Sequence, residues 1–197
     1  MSEPRDSLRG RFLVAVSSLR DPNFHRTVIL VCEHGPEGAL GLVVNRPTEL
    51  KVAEVLEDME IRWGGPAQAP SWFGGPVQPQ VGTVLFAPPQ ENGGGPAVEG
   101  ATPVAAGITL TQHAGDLGRL APGPPERFRL LLGYAGWGEG QLKEEILRND
   151  WLTAPVNADL VFAETPEDAW TGALRSVGVD PSILPSWSTP GGDGNAN

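Results

Sequence analysis

The residues that could support nucleophilic chemistry are few and lie close together in the chain. Cys32 is the only thiol, and His34 follows it two positions later. In a β-strand, residues i and i+2 point to the same face, so the imidazole could act as a base for the thiol. Two side chains on one strand rarely approach at the angle that such a pair requires, and a buried structural cysteine is the favoured interpretation. No serine lies in a Gly-x-Ser-x-Gly elbow, so we predict no catalytic residue.

The supply of metal ligands is also small. The chain contains three histidines and one cysteine. It has no Cys-x-x-Cys pattern, no His-Glu-x-x-His pattern and no acidic calcium-binding loop. We therefore expect no bound metal and no cofactor.

Glycines at positions 133, 136, 138 and 140 raise the question of phosphate binding, because they follow an apolar strand at 128–132 and precede an amphipathic helix. Backbone N–H groups at a helix N-terminus can hold an anion. The glycine spacing matches neither common phosphate-binding fingerprint, and Glu139 and Glu144 place negative charge nearby. A structural unit of strand, glycine loop and helix is the favoured interpretation.

A second set of candidate groups is polar and directional. Arg46 lies between Asn45 and Pro47, and an arginine held extended before proline can donate two parallel hydrogen bonds to a carboxylate or a ligand anion. An internal partner, Asp21 or Glu33, is the favoured alternative to a ligand. Neighbouring predicted strands could bring several polar groups together, and we predict a binding site for a ligand or partner at Asp21, Asn23, Arg26, Glu33, His34, Asn45 and Arg46.

The charge balance disfavours several classes of partner. The 197 residues carry a formal net charge of −10. Such a field repels nucleic-acid phosphates and anionic membranes, so we expect neither direct nucleic-acid binding nor membrane association. The polar start has no apolar signal-peptide core, and no apolar run is long enough to span a bilayer. The cytoplasm is therefore the expected location.

The order of the predicted elements indicates an α+β fold. The periodicity predicts strands at 11–17, 27–33, 39–45, 81–87, 103–110, 128–132 and 159–163, with an antiparallel hairpin formed by the second and third. Predicted helices begin after Thr48, within 112–120, after the glycine loop, and after Thr165 with Gly178 as the stop. Helices inserted irregularly between strands favour α+β over a doubly wound sheet.

Several of these segments resemble the signatures of the AlgH/YqgE family of bacterial proteins. The similarity is carried by residues 19–28, by Cys32-Glu-His34, by residues 38–47, by Gly-Gly-Pro-Val-Gln at 74–78, and by residues 132–138 with Gln141-Leu142, Glu145-Ile146 and Trp151-Leu152. Ser17 and Phe86 depart from the pattern, which more often has proline and histidine there. We assign a structural role to the signature residues Gly74, Gly75, Pro76, Gly133, Tyr134, Gly136, Trp137 and Gln141.

The resemblance implies a strongly curved, barrel-like, mostly antiparallel sheet flanked by a few helices. It covers a single domain at residues 10–184, with a frayed N-terminus at 1–9 and a disordered tail at 185–197. The family has no established reaction and is traditionally labelled a transcriptional regulator. We therefore predict a non-enzymatic protein that binds a protein partner or a small ligand, with any effect on transcription being indirect.

The alternative is an enzyme of unrecognised type with a cleft near Glu33, His34 and Arg46. A cleft that gathers these side chains around a perturbed carboxylate or histidine would favour the enzyme. An apolar patch would favour partner binding.

Overall fold

The computed structural model describes residues 7–16, 21–88 and 98–184, whose strands form one ten-stranded sheet. The strands are β1 (Arg11–Ala15), β2 (Val28–Gly35), β3 (Gly38–Val43), β4 (Pro47–Lys51), β5 (Pro70–Phe73), β6 (Val77–Phe86), β7 (Thr102–Ala105), β8 (Ile108–Thr111), β9 (Phe128–Gly138) and β10 (Trp151–Pro155). The helices are α1 (Val52–Glu57), α2 (Ala114–Leu120), α3 (Gln141–Leu147), α4 (Ala158–Val161) and α5 (Pro166–Ser176), followed by a 3-10 turn at Pro181–Ile183.

The sheet is curled into an antiparallel half-barrel, which confirms the predicted α+β class and the curved sheet. Its strand order is β10-β1-β2-β3-β9-β6-β8-β7, and β4 and β5 form a side branch attached to β9. The pairing of β5 with β9 is parallel, whereas the other described pairings are antiparallel. The predicted β2–β3 hairpin is confirmed.

The long strand β9 joins the two halves of the sheet. Its first half pairs with β6, and its second half pairs with β3 through Leu40 and Gly136. The predicted glycine loop was therefore wrong over most of its length, because residues 133–138 continue the strand. Gly133 has φ +74°, and a Cβ there would lie 2.3 Å from the carbonyl oxygen of Gly75. The glycines allow the β5–β6 connection to lie directly against β9.

Alternate side chains of the central strands bury two different faces of the sheet. On the face covered by α4 and α5, strand residues Phe12, Val14, Leu30 and Leu42 form one buried cluster with Trp170 and Leu174 of α5. On the opposite face, covered by α3, strand residues Leu13, Ile29, Val43, Trp137 and Trp151 form a second buried cluster with Leu142 of α3. A third cluster packs α1 and α2 against the other half of the sheet.

The predictions for both ends of α5 were correct. The Thr165 hydroxyl accepts the N–H of Asp168 at 3.1 Å, and Gly178 follows α5 with φ +78°. Asn149 ends α3 in the left-handed region at φ +60°, a conformation that asparagine tolerates.

Thr48 was wrongly predicted to cap a helix. It lies in β4, where its hydroxyl is 2.7 Å from the hydroxyl of Ser71 on the paired strand β5. Helix α1 begins at Val52, and the N–H of its N-cap Lys51 donates to the carboxylate of Glu54 at 2.8 Å. Threonine suits a strand as well as a cap, and the partner strand decides between them.

Two strand predictions also need correction. The segment predicted as one strand at 103–110 is a tight hairpin of β7 and β8, with Gly107 in the turn at φ +71°. The segment at 159–163 is mainly helix α4, whose N-cap Asn157 accepts the N–H of Asp159 at 2.8 Å. The last strand among the described residues is instead β10, which pairs with β1.

Some predictions fall outside the described residues. These are the departure at Ser17, most of the predicted frayed N-terminus and the predicted disordered tail at 185–197. Within the described part of the chain, no helix is long and apolar enough to cross a membrane.

Candidate functional site

Arg46 stabilises the turn that precedes β2. Its Nη1 donates to the carbonyl oxygens of Asn23 at 2.5 Å and Pro22 at 3.3 Å, and its Nη2 donates to that of His25 at 3.0 Å. Burial lowers the pKa of Arg46, and the nearby negative charge of Asp21 opposes this shift. The guanidinium therefore binds backbone carbonyls, with Asp21 supplying charge nearby, and its role in this structure is internal.

Asn45 ties the same turn to β2 and to α5. Its side-chain oxygen accepts the N–H of Val28 at 2.8 Å, and its Nδ2 donates to the carbonyls of Arg26 at 2.9 Å and Pro166 at 3.2 Å. The side chain is buried, with the residue 5% exposed. One amide thus satisfies three backbone groups, which accounts for the asparagine at the end of β3.

The remaining polar residues of this turn lie at the surface. Asp21 and Asn23 are exposed, and the Asp21 carboxylate accepts the N–H of Asn23 at 2.8 Å. Arg26 lies over the ring of Trp170 at 4.8 Å and is 3.5 Å from the carboxylate of Glu167. Together with Asn45 and Arg46, these residues form one cluster at the start of β2.

Glu33 and His34 do not join this cluster. They lie at the opposite end of β2, where His34 is paired with Ala39 of β3, and the intervening strand spans roughly 20 Å. The Nδ1 of His34 accepts the N–H of Leu8 at 3.1 Å. A shallow hollow of about 440 Å³ lies beside the hairpin turn there. The seven predicted residues are thus divided between two surfaces, and their part in binding stays a prediction.

The groups suggested for an enzyme do not assemble around Cys32. This residue is 4% exposed, its thiol donates to the carbonyl of Leu30 at 3.5 Å, and burial raises its pKa to about 12. A thiol with so high a pKa supplies almost no thiolate near neutral pH. Arg46 lies at the other end of the strand from His34, so the described residues form no cleft that contains both.

A different concave surface lies beside the side branch of the sheet. This groove has a volume of about 410 Å³. We call it the aromatic groove and define it by Trp63, Trp72, Phe128, Arg129, Phe162 and Ala163. Four prolines also line it, Pro66, Pro70, Pro124 and Pro125, together with Glu126 and Glu164.

Each wall of the aromatic groove comes from a different part of the chain. Trp72 is on β5 and Phe128 is on β9, two strands that pair in parallel. Trp63 lies on the segment between α1 and β5, with its ring centroid 5.3 Å from that of Phe128. Phe162 directly follows α4. The groove therefore forms only when these elements pack together.

Arg129 is the charged group of the aromatic groove. It is 5% exposed, and its guanidinium lies 3.6 Å from the centre of the Trp72 ring. Its two terminal nitrogens donate to the carbonyl oxygens of Val44 and Ala163. Burial lowers the pKa of Arg129 to about 9, so the side chain remains charged at neutral pH. Among the described residues, no carboxylate lies within ion-pair distance of it.

Sequence reasoning missed the aromatic groove, although one signal was present. The strand Phe128-Arg-Leu-Leu-Leu132 places a charged residue inside an otherwise apolar run. A charge in a buried strand is costly and needs partners, which marks the position for attention. Its neighbour Arg127 pairs with Asp159 at 2.6 Å and stays at the surface, so the two arginines have different roles.

Comparison with known proteins agrees with this fold. The profile of the AlgH-like family matches residues 12–182. The chain belongs to the AlgH-like family. It is 40% identical over 190 residues to a UPF0301 protein of Methylococcus capsulatus, covering 94% of this chain and 97% of that protein. It is also 39% identical over 186 residues to a UPF0301 protein of Cupriavidus metallidurans, and the match covers 93% of this chain and 95% of that protein.

A solved structure is also similar. The solution structure of the AlgH protein from Pseudomonas aeruginosa superimposes with a TM-score of 0.73 at 34% identity, covering 96% of this chain and 98% of that one. The resemblance noted from the motifs is therefore confirmed. None of these names specifies an activity.

The signature residues of this AlgH-like chain meet where the sheet halves join. Gly75 packs so closely on β9 that a Cβ would lie 2.1 Å from the carbonyl carbon of Tyr134. Gln141 accepts the N–H of Gly138 at 3.0 Å and donates to Glu145 at 2.9 Å. The other carboxylate oxygen of Glu145 accepts the indole N–H groups of Trp137 and Trp151, both at 2.8 Å. These contacts stabilise the region where the two halves of the sheet join. They give these signature residues a structural role that needs no ligand.

Proposed function

We propose that this AlgH-like protein is a non-enzymatic, cytoplasmic binding protein that recognises a segment of a protein partner in the aromatic groove. The observation that carries the proposal is the combination of aromatic walls with one buried cation. Ligand sites in proteins are usually concave, largely apolar and supplied with a few polar groups that set orientation. The aromatic groove, with a volume of about 410 Å³, fits this description.

The groups along the aromatic groove favour binding over chemistry. Its lining consists mainly of aromatic rings and prolines, which offer apolar contact and stacking but no proton transfer. An apolar patch is the feature that favours partner binding over the enzyme alternative. The groove is also made from four separate segments, so its shape depends on the intact fold.

We infer that any effect of the protein on transcription passes through the bound partner. The net charge of −10 disfavours contact with DNA phosphates. The cytoplasmic assignment is supported by Cys32, a free and buried cysteine that suits a reducing compartment.

The experiment is an affinity selection on the full chain with a synthetic library of random octapeptides, half with free C-termini and half with C-terminal amides. Recovered peptides are then tested against Phe162→Ser and Trp63→Ser, with Leu147→Ser as the control. Leu147 is 73% exposed on α3, away from the groove, so its variant also removes an apolar side chain. Melting curves establish that each variant is folded.

We expect peptides whose binding weakens at least about tenfold in both groove variants, through lost apolar contact, and is unchanged in Leu147→Ser. Mass spectrometry should recover these peptides without chemical change. Peptides that bind the groove variants as well as the wild type would show that the aromatic groove is not the binding surface.

A further inference from the structure

The charge of Arg129 determines which chemistry suits the aromatic groove. Its guanidinium contacts the ring of Trp72 and the carbonyls of Val44 and Ala163. Trp72 and Ala163 themselves line the groove, so the guanidinium lies at its wall. Carbonyls and an aromatic face stabilise a cation but carry no net negative charge. Within the described part of the chain, this positive charge therefore has no counter-ion.

A ligand carboxylate would supply the missing negative charge. A buried charge that lacks an opposite partner is costly, and one that gains a hydrogen-bonded partner is stabilised. The planar guanidinium presents N–H groups in a geometry that matches a carboxylate. Burial of Arg129 also removes competing water, which strengthens this attraction.

The surroundings distinguish a carboxylate from a phosphate. Glu126 and Glu164 line the same groove and are exposed. Their negative charge repels a dianion, and one arginine can balance only one negative charge. Both glutamates could instead pair with a basic side chain of the ligand. The charges of the groove thus favour a ligand with one carboxylate, placed at Arg129, and a separate basic side chain, placed near Glu126 and Glu164.

The apolar walls of the groove favour a ligand carboxylate at the C-terminus of a polypeptide over a carboxylate side chain within one. An internal aspartate or glutamate would bring backbone on both sides into a groove of aromatic rings and prolines, where its N–H and C=O groups would lose water. A C-terminal carboxylate enters first and brings backbone on one side only. Its last side chains can then lie between the rings of Trp63, Phe128 and Phe162.

We propose that the aromatic groove binds the free C-terminus of a protein partner, with Arg129 as the counter-ion of the terminal carboxylate. This inference rests on the proposed function and specifies its ligand. The last side chains of the partner are apolar, and a basic residue further back lies opposite Glu126 and Glu164.

The test compares the two halves of the peptide library on the full chain. We expect groove-dependent binders to come from the free-acid half, and the amide of each recovered sequence to bind at least about tenfold more weakly by calorimetry. In Arg129→Met the ratio of amide to acid dissociation constants should fall to about one. Arg127→Met is the matched control, because that arginine is exposed and does not line the groove, and its ratio should equal that of the wild type.

Further variants keep the test decisive if Arg129→Met does not fold. Arg129→Lys keeps the positive charge but cannot donate two parallel hydrogen bonds to a carboxylate. Its ratio of amide to acid dissociation constants should therefore be lower than that of the wild type but still above one. Glu164→Gln should weaken the binding of peptides that carry a basic residue more than the binding of peptides without one. Inorganic phosphate should displace a bound peptide no better than acetate at equal ionic strength.

The possible failures are distinguishable. Groove-dependent peptides recovered equally as acids and amides would overturn the C-terminal assignment while leaving the proposed function intact. Displacement by phosphate at much lower concentration than acetate would also overturn it, in favour of a phosphate site. A library without any groove-dependent binder would refute both the C-terminal assignment and the proposed function.

Discussion

Replacing Asn45 with alanine removes the amide that holds the turn before β2. The N–H of Val28 would lose its 2.8 Å partner inside the fold, and the carbonyls of Arg26 and Pro166 would lose theirs. An unsatisfied buried polar group costs about 1–3 kcal/mol. The two carbonyls are only partly buried and can bind water, so the Val28 N–H dominates. We expect Asn45→Ala to lower the free energy of unfolding by about 2–4 kcal/mol.

Urea denaturation and thermal melting measure this change. For a chain of this length each 1 kcal/mol shifts the melting temperature by about 2–4 °C, so the midpoint should fall by about 4–16 °C. Asn23→Ala is the control, because Asn23 is exposed in the same turn, and its effect should stay within about 0.5 kcal/mol. Equal stability of the two variants would refute the account, since the turn would then not depend on the buried amide.

Four other predictions concern single measurements. Trp137→Ala should cost about 3–5 kcal/mol in urea denaturation, because its indole is 7% exposed and bonded to Glu145; an unchanged midpoint would mean that it is exposed in solution. Cys32 has a thiol pKa of about 12, so alkylation by iodoacetamide at pH 8 should be about a thousandfold slower in the folded than in the urea-unfolded protein; equal rates would contradict its burial. Arg46→Lys should lower the melting temperature and leave peptide binding in the groove unchanged, whereas a selective loss of binding would contradict its internal role. Gel shifts with duplex DNA at physiological salt should show weak, non-specific binding only, and salt-resistant, sequence-selective binding would refute the indirect route to transcription.

The parts of the fold that the sequence predicted depend on neighbouring residues. Thr165, Asp168 and Gly178 define the ends of α5 through bonds and angles within a few positions of each other. The β2–β3 hairpin likewise closes through a short turn. In both cases the residues that decide the structure lie in one short stretch of sequence, so pattern and capping rules apply directly.

The wrong predictions involve partners that are distant in sequence. Thr48 lies in a strand because Ser71 and its neighbours pair with it. The strand β10 pairs with β1, where Leu13 lies opposite Thr153. A short segment such as Trp151–Pro155 has no clear period of its own, and only the distant partner makes it a strand. Such pairing cannot be derived from local propensity.

Arg46 and Arg129 show why sequence reasoning singled out one arginine and missed the other. The sequence around Arg46 is rich in polar residues, which led to its prediction as a site residue. In the structure, the carbonyls of the turn and the nearby charge of Asp21 satisfy its guanidinium within the fold. Arg129 was not predicted as a site residue because it lies in an apolar strand. It needs Trp72 from β5 and Ala163 from the end of α4, and packing brings these together at a groove.

A side chain contributes to ligand binding only through interactions that it does not already make within the folded protein. Arg46 donates to three carbonyls of its own turn, so a ligand would have to replace bonds that already exist. Arg129 has hydrogen-bond partners but no compensating charge within the described residues, so a carboxylate would add an interaction without breaking the present ones. A ligand stabilises the folded protein only through the net free energy of the interactions that it forms on binding. The groove beside Arg129 is therefore the better candidate for the proposed binding site than the polar turn beside Arg46.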